Sequence, residues 1–158
     1  MMKIECWCIG KTDADYLKTG VALYEKRLTH YTAFDFVIFP DIKNGGAMTK
    51  EILKQKEGEA FLQKINKEDY LILLDESGQA YTSVQFAQYI EGKQSANLKK
   101  MIFLIGGAFG FSEEIKKRAN HSITLSKMTF SHIMIRLFFA EQLYRAYTII
   151  KNEKYHNE

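Results

Sequence analysis

The chain has 158 residues, 46% of them hydrophobic and 26% charged, with a formal charge of +3, two cysteines and one proline. That size and balance describe one globular domain with one core and exclude extended disorder. A charge of +3 is compatible with a nucleic-acid partner but lacks the strongly basic face that the commoner nucleic-acid binders carry.

The opening MMKIECWCIG has too short an apolar run for a secretory signal. No segment reaches the roughly 18 uninterrupted apolar residues of a membrane helix, so the expected location is cytoplasmic, away from membranes. Residues 4–9 form the first predicted strand, with Cys6 and Cys8 on one face of it. A metal site needs about four Cys or His ligands and no CxxC or HxxxH completes the pair, so both read as buried thiols and no metal is expected. Residues 13–30 carry apolar positions at helical spacing, residues 34–39 read as a strand closed by Pro40, and residues 49–65 as a second helix. The strand at 70–74 ends in Asp75, Glu76, Ser77 and Gly78; a helix over 82–91 follows, opened by a capping box of Thr82 and Gln85. After the strand at 101–105 come Gly106, Gly107, Ala108, Phe109 and Gly110, and then Ser112, a helix cap with Glu113 and Glu114 in the first turn.

Strands alternating with helices predict an α/β domain over 1–158 with a mostly parallel sheet, and uninterrupted LILL and MIFLI runs predict helices on both faces. Ligands in such sheets bind outside the carboxyl ends of the strands, where the DESG and glycine loops lie. The glycine loop is no dinucleotide fingerprint: it lacks GxGxxG, follows the fourth strand, and has no acidic residue about 20 positions on. The clusters Lys99–Lys100 and Lys116–Arg118, with Lys151 and Lys154, read as solvated faces.

The last predicted helix, over 132–150, is apolar round most of its circumference, with Glu141, Arg145 and Thr148 on one polar stripe and Gln142 beside it. Such a helix must be buried nearly all round, which in a domain this small implies a second subunit and hence a homodimer. Arg136 falls within the apolar arc and needs a partner: an ion pair across the dimer, or a ligand.

The run FLIGGAFGFSEEIKKRANHSITLSKMTFSHIMIRLFFAEQLYRAYTIIKNEKYH, with LLDESG and the MKIECWCIGK start, resembles the ribosomal RNA large-subunit methyltransferase H family of the SPOUT superfamily across the whole chain. GGxxG, LSKMTF, the segment from His132 to Arg136, EQLYRA and the closing YH carry the resemblance. Ala108 and Ser131 stand where that family often has proline, a difference in loop rigidity rather than in reacting groups.

The resemblance implies a SPOUT-type fold with a carboxyl-terminal trefoil knot, knot and cofactor site lying within about residues 70–156, an exception to the unknotted rule. It implies S-adenosyl-L-methionine as cofactor, held by Leu74, Gly107, Ser126, Lys127, Met128, Thr129, Phe130 and Ser131, mostly through backbone groups. The implied substrate is N3 of a pseudouridine in helix 69 of 23S rRNA within the assembled ribosome. Alone, the tail at 151–156 reads as a frayed end; with the resemblance it supplies catalytic candidates. His156 is a candidate base, Arg145 a group to steady negative charge or hold a phosphate, and Tyr155 a stacking or hydrogen-bonding group. His132, at the start of the last helix, reads as structural. Two other readings are a nucleotide-dependent oxidoreductase and a non-catalytic ribosome- or RNA-binding module.

Overall fold

The computed structural model describes residues 2–157. In chain order the elements are β1 (Lys3–Ile9), α1 (Asp15–Leu28), β2 (Ala33–Phe39), a 3-10 turn (Gly45–Ala47), α2 (Lys50–Leu62), β3 (Tyr70–Ala80), α3 (Ser83–Ser95), β4 (Lys100–Ile105), α4 (Glu113–Arg118), β5 (His121–Thr124) and α5 (Met134–Ile150). The strands form one sheet in the order β2-β1-β4-β3-β5, and every pairing is parallel.

The two-residue period of the strands sorts the core into two layers. Ile4, Cys6 and Cys8 of β1 join Met101, Phe103 and Ile105 of β4 against α3 and α5, while Trp7 and Ile9 join Ile102 and Leu104 against Phe61 of α2 and Ile115 of α4. Both cysteines are fully buried free thiols. Phe103 and Phe139 lie with ring centroids 4.7 Å apart at the centre of the first layer, where truncating either ring would cost about 3–5 kcal/mol. The caps follow their sequence signals: Thr82 and Gln85 form the full capping box, and Thr49 and Ser112 accept from the third residue beyond them.

Two elements depart from expectation. β3 does not end at Leu74 but runs to Ala80. Leu74 and Gln79 both face Ile123 of β5, so residues 75–78 loop out between two paired stretches. Gly78 permits this: a Cβ there would lie 2.5–2.7 Å from the Ile123 backbone. β5 itself, HSIT, was not expected, because four residues with a single large apolar side chain carry no usable alternation.

α5 starts at Met134, its first turn held by Ser131, whose Oγ accepts from the Met134 N–H at 3.1 Å. The chain surrounds this helix more fully than expected, with α1 and α3 packed along its sides. Thr148, placed on the polar stripe, is buried and donates to the Arg145 carbonyl at 2.7 Å. Among the described residues no carboxylate pairs with Arg136, whose partners lie within the chain. It is 1% exposed and donates to the carbonyls of Gly10 and Ile9 at 2.8 and 2.7 Å and to Thr12 Oγ1 at 2.9 Å. The end of β1 leaves carbonyls without strand partners, and a guanidinium with several fixed donors satisfies them together. Among the described residues no helix is long and apolar enough to cross a membrane.

Candidate active site

Three loops leave the carboxyl-terminal edge of the sheet side by side: residues 74–76 within β3, 106–111 after β4 and 124–132 after β5. They enclose a cavity of about 400 Å³, a size that suits a cofactor. Leu74, Gly107, Met128, Thr129, Phe130 and Ser131 line it. Ser126 does not; its Oγ accepts from Met128 N at 2.9 Å and so shapes the loop, while the residue itself lines a neighbouring cavity. Lys127 is exposed and lines neither.

At Gly107 the main chain passes directly over Glu57 of α2: a Cβ there would stand 2.5 and 2.7 Å from the two carboxylate oxygens. Burial, and then the neighbouring charge of Asp41, raises the pKa of Glu57. The cavity wall also holds Asp75 and Glu76 of the DESG loop, which the sequence places at the ligand-binding edge without giving either acid a role. His132 lines the cavity as well, which a purely structural helix start would not require. Its Nδ1 is buried without a hydrogen-bond partner among the described residues. Burial and then the Arg136 charge lower the pKa of His132, with Asp41 pulling the other way.

The tail folds back over α1 and α5. Arg145 donates through Nε to Glu141 Oε1 at 2.8 Å, the spacing of four on α5 making the pair. Its Nη1 lies 3.0 Å from His156 Nδ1. A guanidinium only donates, so Nδ1 accepts and the ring proton resides on Nε2. The guanidinium also stands over the Tyr155 ring, 4.8 Å from its centroid. The hydroxyls of Tyr155 and Tyr24 lie 3.4 Å apart, and burial, with the Tyr24 contact next, raises the Tyr155 pKa. Tyr31 donates to Glu153 at 2.8 Å and pins the turn that leads into this cluster. Arg145, Tyr155 and His156 therefore form one unit, with Glu141 and Tyr24 as members. Tyr24 carries no local signal for this role, because it meets Tyr155 across 131 positions of sequence.

This unit does not border the loop cavity. It adjoins a second cavity of about 480 Å³ lined in part by Tyr24, Glu141, Phe130, Leu137 and Phe138. The two cavities share Thr124, Leu125 and Phe130, so they lie on either side of the loop that follows β5. The rings of Phe130 and Phe138 pack at a tilt with centroids 4.9 Å apart and are 38% and 39% exposed, and Met128 nearby in sequence is 76% exposed.

A parallel α/β sheet whose last strand feeds a cofactor-sized loop cavity and then a buried helix agrees with what comparison of the whole chain finds. A family model described as predicted SPOUT methyltransferase matches residues 2–156, and the chain belongs to that family of methyltransferases. Among its relatives, a protein of Christiangramia forsetii is 50% identical over 156 residues, covering 99% of each chain. One of Parabacteroides distasonis is 50% identical over 157 residues, 99% of this chain and 100% of its own. One of Porphyromonas gingivalis is 41% identical over the same length, with the same coverage. Each bears the name ribosomal RNA large subunit methyltransferase H.

Proposed function

We propose that the chain methylates N3 of a pseudouridine in helix 69 of the large-subunit ribosomal RNA, within the assembled ribosome, using S-adenosyl-L-methionine. The observation that carries this reading is the cavity formed by the glycine loop and residues 128–131, in a chain about half identical, end to end, to proteins named for large-subunit rRNA methylation.

The cavity suits the cofactor. Its volume is sufficient, its glycine loop brings main-chain groups to the wall, and the carboxylates of Asp75 and Glu76 complement a positively charged ligand. Leu74, Gly107 and the loop from Ser126 to Ser131 would hold it, Ser126 and Lys127 through the course of the backbone. When bound, the cofactor supplies a methyl group on a positively charged sulfur, open to in-line displacement without a metal. Among the described residues no three His, Cys, Asp or Glu side chains gather as metal ligands.

What remains for the protein is to position the pseudouridine and manage the charge left as N3 loses its proton. Arg145, held in place by Glu141, steadies that negative charge, and Tyr155 packs on or hydrogen-bonds to the base. His156 accepts from Arg145 through Nδ1, so that nitrogen takes a substrate proton only after the ring leaves Arg145. Because the cluster does not border the cavity of its own chain, a homodimer placing one copy's tail over the other's cavity completes the site. The exposed pair Phe130 and Phe138 is the apolar surface for that contact. Threading of the carboxyl-terminal segment as a trefoil knot belongs to the same reading.

The test is incubation of the purified chain with radiolabelled donor and ribosomes from a strain lacking the modification, followed by nucleoside analysis. Label in N3-methylpseudouridine is the expected result. Absence of label, from folded protein that binds the donor, overturns the substrate assignment.

A further inference from the structure

Several of the basic groups are engaged within the fold. Lys100 lies 3.5 Å from Glu5 and 3.7 Å from Asp69. Arg118 donates to the carbonyls of Asn66 and Asp69 at 2.9 and 2.8 Å. Lys116 pairs with Glu113 at 3.6 Å, Arg145 with Glu141 at 2.8 Å, and Arg136 is buried. Arg27, in the last turn of α1, differs from all of these. Its guanidinium carbon stands 5.4 Å from the ring centroids of both Tyr24 and Tyr144. Among the described residues no carboxylate pairs with it.

Both rings belong to the tail cluster: Tyr24 meets Tyr155 through the hydroxyls, and the Tyr144 and Tyr155 rings pack edge to face with centroids 4.8 Å apart. The two rings hold the guanidinium in place, and among the described residues none of its N–H groups is taken up in a hydrogen bond. Arg27 therefore presents a held fork of donors with an uncompensated positive charge, on the aromatic cluster that carries Arg145, Tyr155 and His156. Exposed Lys26 precedes it, and exposed Lys151 and Lys154 flank the turn that Tyr31 and Glu153 pin beside the end of α1.

We propose that Arg27, held against the rings of Tyr24 and Tyr144, binds a backbone phosphate of the RNA strand that carries the target base. The inference rests on the reading of the chain as an rRNA methyltransferase. A fork of in-plane donors matches two phosphate oxygens, and contacts of this kind set register while base recognition is left to other groups. The division of labour between the two arginines follows from their partners. Arg145 is held in place by its pair with Glu141 and suits a local task at the base, whereas Arg27, with no carboxylate beside it among the described residues, suits an anionic strand.

The experiment compares the wild type with Arg27→Gln and Arg27→Lys in methyl transfer to unmodified ribosomes over a range of salt. Gln should raise KM for ribosomes about ten-fold with kcat within about three-fold and donor affinity unchanged, and should make the fall of log kcat/KM with log salt shallower by about one. Lys should restore the salt slope and part of KM, since it keeps the charge but loses the fork. Unchanged donor affinity shows that each variant is folded. An unchanged KM and salt slope in the Gln variant overturns the proposal, as does a loss confined to kcat. Dissociation of the Gln variant into monomers on sedimentation also overturns it, since Arg27 would then serve a second copy of the chain. Failure of the wild type itself to label ribosomes strikes the functional reading instead.

Discussion

The loop cavity and the tail cluster are built from opposite materials. The cavity owes its form to main chain: glycines at 106 and 107, the loop following β5, and side chains such as Leu74 that only fill space. The tail cluster is made of side chains, a guanidinium held by a carboxylate, an imidazole and a tyrosine ring, with Tyr24 reaching in from α1. The difference teaches where each region is vulnerable. A pocket defined by backbone is damaged by adding atoms, whereas a cluster defined by functional groups is damaged by removing them. Donor binding and methyl transfer should therefore separate under mutation.

The largest effects should come from removal. Arg145→Ala, Tyr155→Ala and His156→Ala should each lower single-turnover methyl transfer by about ten-fold to a thousand-fold, with donor affinity changed less than about three-fold. Full activity in all three would dissolve the comparison and move attention to His132 on the cavity wall. Next comes addition. Gly107→Val forces a branched side chain onto the Glu57 carboxylate and should weaken donor binding by about a hundred-fold in calorimetry, because the loop must shift to relieve the overlap. Normal binding by this variant would show that the glycine loop does not form the pocket wall.

A smaller effect is expected at the proposed contact between two copies of the chain. Phe138→Asp places a charge on a residue already 39% exposed, so the monomer should fold while dimer dissociation rises about ten-fold or more. Sedimentation at micromolar concentration reads this directly, and a wild type that sediments as a monomer would remove the need for a composite site. The smallest effect is one of pH. The pKa of Glu57 is raised on folding, so the folded chain holds more protons than the unfolded one between the two pKa values. Stability must fall as pH rises through that interval and remain lower above it. Glu57→Gln removes the loss and should melt on the order of 2–4 °C higher than wild type at pH 8, with no difference at pH 4. An equal melting temperature at pH 8 would mean that burying the charged Glu57 carboxylate behind the glycine loop carries no net cost.

Much of this protein is legible from residue order alone. The runs LILL and MIFLI read directly as buried parallel strands, and Thr82 with Gln85 as a helix start, because periodicity and capping are local properties of a few neighbouring residues. The motifs GGAFG and LSKMTF lead to the loop cavity, and Glu141 meets Arg145 at the spacing that any helix dictates. Tertiary structure alone decided the rest. Nothing local in HSIT marks a strand, since β5 exists through its pairing with β3 around the outward loop at 75–78. Arg136 gave no sign that its partners are carbonyls at the end of β1, 126 and 127 positions away. Glu57 and Tyr24 sit in ordinary amphipathic helices, and only the packing of α2 under the glycine loop and of α1 against the tail gives them neighbours that matter. A hydrogen bond or close contact between distant segments leaves no trace in local pattern, because its geometry is set by the whole sheet and not by either segment.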